Sequence, residues 1–123
     1  MKLKYKSGYK YQSVNKPPSL QLIYIRPETD IFAPFCTLFK TGWLIPKDNY
    51  AWDGATYAPD IEKIMPGSYF HDMLYELFRL GYLPLSLWPL ADKEMDIINK
   101  RCGMWSGTRW MVQKGLWVAQ GSA

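Results

Sequence analysis

The segment PGSYFHDMLYELFRLG, residues 66–81, indicates which class of fold this chain adopts. Its regularly spaced apolar residues are Tyr69, Phe70, Met73, Leu74, Leu77 and Phe78. Spacings of three and four residues are typical of a helix with one buried face. Proline is tolerated in a first helical turn and glycine favours a helix end. We therefore predict a helix that begins at Pro66 and stops at Gly81.

Two more helices are predicted downstream. The first begins at Leu90 and ends at Gly103, and the second runs from about Thr108 to Ala119. The buried stripe of the first is formed by Ala91, Met95, Ile98 and Cys102. The second half of the chain is thus expected to be a bundle of about three helices.

The first half has the pattern of short antiparallel strands. Leu3 and Tyr5 alternate with lysines, and the alternation resumes after Ser7-Gly8, which favours a hairpin. Further apolar runs cover residues 20–25, 35–39 and 43–45, the last of them stopped by Pro46. Strands followed by helices indicate an α+β fold. We expect a single domain, 1–123, that is mostly β over 1–46, a loop over 47–65 and mostly helical over 66–119.

Length and composition limit the class of protein. A chain of 123 residues, 48% hydrophobic and 21% charged, fits one globular domain and excludes overall disorder. Two cysteines do not make a disulfide scaffold. No apolar run reaches the roughly 20 residues of a membrane helix, and no signal peptide is evident. A protein made and kept reduced in the cytoplasm is expected.

The net charge of +4 is concentrated at the N-terminus. Residues 1–16 hold five lysines and no acid, whereas the remaining chain holds ten basic and eleven acidic residues. A nucleic-acid-binding domain usually spreads lysine and arginine over a face. We therefore do not expect this protein to bind nucleic acid.

The polar residues of chemical interest lie on the first two helices. His71 is the only histidine, Tyr75 lies one helical turn further on, and Asp92 lies beside the stripe of the next helix. If the two helices pack antiparallel, Asp92 can accept hydrogen bonds from His71 and Tyr75. The imidazole is then held in one tautomer, and its other nitrogen can take a proton from water.

A metal site is the second candidate. Asp72 lies about 100° round the helix from His71 and can face the loop 50–56. The Asp53-Gly54 pair of that loop favours a tight turn with exposed carbonyls. Oxygen ligands of this kind suit Ca²⁺ or Mg²⁺ rather than zinc, so Asp72 and Asp53 are the predicted metal ligands.

The same residues have a purely structural interpretation. Asp53-Gly54 can be an ordinary turn, and Asp72 and Asp92 can be acids near helix N-termini, where the helix dipole stabilises them. The His71–Tyr75–Asp92 network would then be a buried polar clasp between two helices. Spacing does not decide between clasp and catalyst.

The order of these motifs resembles a family of small phage and prophage proteins whose domain has no known function. The resemblance covers residues 43–115 and no part of residues 1–42. Its motifs are Trp43-Leu44-Ile45-Pro46, Asp53-Gly54-Ala55-Thr56 with Pro59, His71-Asp72-Met73-Leu74-Tyr75, Ala91-Asp92, and Gly103, Arg109 and Gly115. It implies a phage-encoded protein, present in the host cytoplasm when synthesised and then in the virion.

The central motifs also resemble the site of phospholipase A2, especially its compact viral form. Those enzymes carry H-D-x-x-Y on one helix and an aspartate on the next. The resemblance implies that His71 activates water, that Tyr75 and Asp92 position it, and that Asp72 binds calcium together with an upstream loop. It implies a calcium-dependent hydrolase of acyl esters in host envelope lipid.

The aromatic content supports a competing function. Six tryptophans, nine tyrosines and five phenylalanines exceed what a small core needs, and large aromatics are enriched in protein interfaces. The candidate exposed anchors are Trp88, Trp105, Trp110 and Trp117. A non-enzymatic virion or assembly component that binds other phage structural proteins is the alternative, although the aromatics can also simply complete the core.

Overall fold

The computed structural model describes residues 3–6, 11–13, 16–48, 50–52 and 61–121. Within these residues seven short strands precede three helices, and the strands are β1 (Tyr5–Lys6), β2 (Tyr11–Ser13), β3 (Leu20–Gln21), β4 (Ile31–Phe32), β5 (Cys36–Leu38), β6 (Trp43–Pro46) and β7 (Ala51–Trp52). The helices are α1 (Ile61–Arg79), α2 (Trp88–Arg101) and α3 (Ser106–Gly121), with a 3₁₀ turn at Leu85–Leu87. The predicted α+β class is confirmed.

The strands form two antiparallel sheets. The first has the order β1-β2-β7, with Tyr5 opposite Ser13 in the predicted hairpin. The second has the order β3-β6-β5-β4. Because β6 belongs to one sheet and β7 to the other, the chain passes directly between them, and residues expected to be loop include a strand.

The core lies between the second sheet and α1. Strand β6 shows how the sheet contributes, since Leu44 and Pro46 are buried while Trp43 and Ile45 are exposed. Fully buried side chains from the two sides include Leu22, Ile25, Leu38, Leu44, Phe70, Met73, Leu74 and Leu77. Burying one such side chain contributes roughly 1.5–3 kcal/mol, and α2 adds Ala91 and Ile98 to the same core.

Helix α1 begins earlier than the sequence predicts. It starts at Ile61, and Pro66 lies inside it. An interior proline lacks the N–H that would bond the carbonyl four residues before it. Ile64 and Met65 are each 1% exposed, and their burial offsets that loss. The expectation that Pro66 starts the helix is therefore wrong.

The helices end close to the glycines that the sequence indicated, whereas the starts of α2 and α3 differ from the predicted positions by two residues. Gly81 and Gly103 have φ values of +82° and +88°, as expected of residues just past a helix end. Helix α2 begins at Trp88, two residues before the predicted start, with Pro89 in its first turn. Helix α3 begins two residues before its predicted start and ends two residues after its predicted end.

A single buried carboxylate joins α2 to the strands. The side chain of Glu94 is 2% exposed and accepts hydrogen bonds from the backbone N–H groups of Ile23, Tyr24 and Ile25, at 2.9, 2.9 and 3.0 Å. Hydrogen bonds to a charged acceptor are stronger than neutral ones. Glu94 therefore positions α2 against the segment that follows β3.

Within the described residues, no helix combines the length and apolar character required to cross a bilayer.

Candidate active site

The structure brings together three of the predicted site residues. His71 Nε2 lies 2.6 Å from Asp92 Oδ1, and the Tyr75 hydroxyl donates to the same oxygen at 2.9 Å. Gly67 of α1 lies against Met95 and Asn99 of α2. Gly67, His71 and Tyr75 follow one another along α1, and their partners Asn99, Asp92 and Trp88 follow in the reverse order along α2. The two helices are therefore antiparallel, which is the arrangement that the site required.

Helix dipoles do not explain the positions of the two aspartates. Helix α1 begins at Ile61 and α2 at Trp88, so Asp72 and Asp92 both lie beyond the first turn of their helices. The stabilisation of an acid by a helix N-terminus falls off within that turn. That part of the structural interpretation is wrong, and Asp92 is retained at the helix interface by its bonds to His71 and Tyr75.

Aromatic side chains complete the surroundings of the imidazole. The His71 and Tyr75 rings have centroids 4.1 Å apart, and the Tyr75 and Trp88 rings have centroids 4.7 Å apart. Trp88 also contacts Phe78, with ring centroids 6.2 Å apart. The expectation that Trp88 is an exposed anchor is wrong, because it packs against the site.

The electrostatic surroundings favour a charged imidazole. Burial of His71, which is 6% exposed, by itself lowers its pKa. The neighbouring carboxylates of Asp72 and Asp92 outweigh that effect, so the pKa of His71 lies above its ordinary value of 6.5. His71 Nδ1 lies 3.9 Å from Asp72 Oδ1, which is too long for a direct hydrogen bond.

A polar cavity of about 170 Å³ adjoins the network. It is lined by Tyr50, Ala51, Trp52, Asp72, Tyr75, Glu76 and Arg79. Burial, reinforced by the negative charge of Asp72, raises the pKa of the Tyr50 phenol. Asp72 therefore faces the start of the 50–56 segment, while His71, the residue before Asp72, is buried and does not itself line the cavity.

Strand β7 is fixed beside the cavity by α1. The Trp52 indole N–H donates to the Ser68 hydroxyl at 3.1 Å, and that hydroxyl donates to the Met65 carbonyl at 2.9 Å. The Trp52 ring also packs edge-on against Tyr69 at 4.8 Å. These contacts hold one wall of the cavity rigidly on the helix that carries His71 and Asp72.

The described residues do not complete a calcium site. Asp72 and Glu76 are the carboxylates at the cavity, and Glu76 forms an ion pair with Arg79. No group of three or more His, Cys, Asp or Glu side chains in the described parts of the chain could hold a metal ion. Calcium takes six to eight oxygen ligands. The other predicted ligand, Asp53, lies outside the described residues.

Helix α3 supports the site in a way that the sequence did not reveal. The Gln113 side-chain amide donates to the backbone carbonyl of Asp92 at 2.9 Å, and Arg109 pairs with Asp96 at 3.1 Å. Both contacts join α3 to the middle of α2. Arg109 belongs to the motifs of the family resemblance, but neither it nor Gln113 carries a local signal that specifies which helix it will meet.

Two of the predicted aromatic anchors lie on the surface of α3 and the turn before it. Trp105 and Trp110 are 74% and 62% exposed, and Met111 beside them is also exposed. The Lys114 ammonium lies 4.9 Å from the centre of the Trp110 ring. The side chain of Trp117, the fourth candidate, lies outside the described residues.

Taken together, fold and site define an α+β domain with a partly buried His–Asp–Tyr network beside a small polar cavity. No protein-family model, curated protein or solved structure matches this chain. The resemblance to phage proteins and to phospholipase A2 therefore stays a prediction.

Proposed function

We propose that this protein is a phage-encoded hydrolase of acyl esters, with host envelope lipid as its substrate class. The observation that carries the proposal is the use of Nε2 of His71 by Asp92, which leaves Nδ1 on the side of the cavity-lining Asp72. A histidine whose one nitrogen is fixed by a carboxylate acts as a general base when its other nitrogen reaches water, and the proposal requires that access beside Asp72.

In the proposed reaction, Nδ1 of neutral His71 takes a proton from a water molecule in the cavity. The hydroxide formed attacks the ester carbonyl carbon, and Asp92 stabilises the imidazolium. The imidazolium then returns the proton to the leaving alkoxide, which gives a carboxylic acid and an alcohol. Tyr75 keeps the shared Asp92 oxygen in place.

A calcium ion is part of the proposal as a cofactor held by Asp72. When bound, such an ion would stabilise negative charge on the carbonyl oxygen of the substrate. The ligands that the described residues lack would have to come from the 53–56 segment, which includes Asp53.

The first prediction concerns His71 and the pH profile. The His71→Ala variant should lose ester hydrolysis, measured as fatty-acid release from short-chain phosphatidylglycerol micelles with calcium and with chelator. Because the base must be neutral and its pKa is raised, the rate should rise with pH through a value above 6.5. Asp92→Asn removes one cause of that shift, so the inflection should move to lower pH.

Tyr75→Phe is the matched control for folding, because it retains the ring that packs on His71 and Trp88 and removes only the hydroxyl. It should unfold with nearly unchanged cooperativity and hydrolyse more slowly. If the intact protein releases no fatty acid with or without calcium, and His71→Ala changes only stability, the network is a structural clasp and the enzyme proposal fails.

A second candidate function is supported by the exposed Trp105 and Trp110. We propose, as the alternative, a virion or assembly component that uses this surface to bind other phage structural proteins, further copies of itself included. Exposed aromatic side chains at the centre of an interface contribute much of its binding energy.

The second prediction tests that alternative. Sedimentation of the intact protein at increasing concentration should show self-association, and a Trp105→Ser/Trp110→Ser variant should remain monomeric. Both residues are exposed, so the double variant should lose little free energy of unfolding, about 0.5 kcal/mol per site. A monomer at all concentrations would contradict a self-assembling component.

A further inference from the structure

A second cavity, of about 380 Å³, lies where β3, the segment after it and the end of α2 meet. Its lining includes Arg26, Arg101, Trp43, Gln21, Leu22 and Ile23. None of these residues belongs to the His71 network. Among the residues that the structure describes, no aspartate or glutamate lines this cavity, and neither arginine forms an ion pair. Two positive charges are thus concentrated at one concave site.

Arg26 is positioned by the turn between β5 and β6. Its guanidinium donates to the Thr41 carbonyl, which also accepts a hydrogen bond of 3.0 Å from the Gln21 side chain. A Cβ on Gly42 would lie 2.9 Å from both Cζ and Nε of Arg26, so the arginine occupies space that only glycine leaves open. A guanidinium has five N–H donors, and this contact uses one. Arg26 is therefore held in place with most of its donors available.

The second arginine comes from a different element. Arg101 is the last residue of α2, and its side chain is exposed. Helix α2 is fixed against the segment after β3 by the three hydrogen bonds of Glu94. The same contact that docks the helix therefore places its last residue, Arg101, beside the cavity that Arg26 also lines.

An apolar wall adjoins the two charges. Trp43 is 44% exposed on the outer face of β6, and Ile23 is 46% exposed. Such a wall suits the carbon part of a ligand whose anionic part meets the arginines. Arginine pairs bind phosphate oxygens through parallel N–H donors, a geometry that lysine does not offer.

We propose that this cavity, the Arg26–Arg101 site, binds the phosphate group of a phosphoester. Free phosphoesters and phospholipid headgroups share that chemistry. The proposal does not depend on hydrolysis at His71.

The test is a titration of the full chain with glycerol 3-phosphate, followed by calorimetry and by the fluorescence of tryptophan. Saturable binding is expected, and Arg101→Gln should weaken it at least about tenfold, because hydrogen bonds to a charged group are lost. Lys100→Gln is the matched control, since Lys100 is the preceding residue, has the same charge and is also exposed. It should change the affinity less than about twofold.

A parallel titration with vesicles of phosphatidylcholine containing phosphatidic acid distinguishes the two sources. Binding to glycerol 3-phosphate alone identifies a soluble phosphoester, and binding to the vesicles alone, lost in Arg101→Gln, identifies a headgroup. Arg26→Gln should have the same effect as Arg101→Gln, with folding checked by circular dichroism, and His71→Ala should bind normally. The proposal is overturned if neither probe binds, or if Arg101→Gln and Lys100→Gln bind equally well.

Discussion

Glu94 is a charged residue whose side chain is almost completely buried. Its carboxylate is removed from water and accepts three backbone N–H groups from residues about 70 positions earlier in the chain. A buried charge is tolerated only when it is paired or fully hydrogen-bonded. The free energy of folding is therefore sensitive to this residue.

The third prediction follows from that sensitivity. Glu94→Ala should lower the free energy of unfolding by about 3 kcal/mol, because a charged acceptor is lost and N–H groups are left without a partner. Glu94→Gln keeps one acceptor oxygen but turns an N–H₂ group toward the amides, so an intermediate loss is expected. Urea unfolding midpoints at constant slope measure the difference.

Glu62→Ala is the control, because Glu62 is exposed on the first turn of α1. Its effect should stay within about 0.5 kcal/mol. Equal losses in the Glu94 and Glu62 variants would show that the three hydrogen bonds contribute nothing to stability.

At the scale of elements, the crossing of α1 and α2 depends on one glycine. A Cβ on Gly67 would lie 2.3 Å from Oδ1 of Asn99, which is far inside van der Waals contact. Asn99 is fully buried, and within the described parts of the chain neither its Oδ1 nor its Nδ2 has a hydrogen-bond partner. The helices therefore approach closely at the cost of an unsatisfied side-chain amide. Asn99 lies two helical turns from Asp92, the residue that positions His71.

The fourth prediction compares two helical glycines. Gly67→Ala should destabilise the protein by about 2 kcal/mol, although alanine is the better helix former by about 1 kcal/mol, because the added methyl group overpacks the crossing. Gly115→Ala is the matched control, since a Cβ there meets nothing within 4 Å. It should raise stability by about 0.5–1 kcal/mol.

Thermal unfolding of the two variants gives the comparison, and Gly67→Ala combined with Asn99→Ala should recover part of the loss, because the clash partner is removed. If Gly67→Ala is as stabilising as Gly115→Ala, the helices do not touch at this point. The distance between His71 and Asp92 would then have to be set by other contacts.

At the scale of the whole molecule, Cys36 of β5 belongs to the main hydrophobic core. Its side chain is fully buried, and that burial raises the pKa of the thiol to about 12, although Lys47 acts in the opposite direction. Cys102 is only half-buried. The two free thiols thus report on the core and on the end of α2 respectively.

The fifth prediction uses these thiols. At pH 8 a thiol with a pKa of about 12 is ionised in about one molecule in 10⁴, and the thiolate is the reactive form. In a Cys102→Ser variant, Cys36 should therefore react with an aromatic disulfide reagent only when the molecule unfolds. In Cys36→Ser, Cys102 should react faster.

Labelling rates measured over a series of urea concentrations test this expectation. The Cys36 rate should rise in parallel with the unfolded fraction. A rate independent of urea would mean that the sheet and α1 separate locally without global unfolding.

The site and the fold were predictable from sequence to different extents. Helical spacing places His71 and Tyr75 on one face, whereas their meeting with Asp92 also requires the antiparallel packing of α1 and α2, which no local pattern establishes. The position of Glu94 did not follow, because its partners are backbone N–H groups, which every residue except proline carries.

The sequence by itself determined the α+β order and the helix face that carries His71 and Tyr75. These depend on spacings of a few residues, which the geometry of a helix fixes. Only the tertiary structure decided that α1 begins before Pro66, that α2 docks through Glu94, and that Arg26 and Arg101 line one cavity. Each of these depends on burial or contact between residues far apart in the chain, whose free energy no local pattern contains.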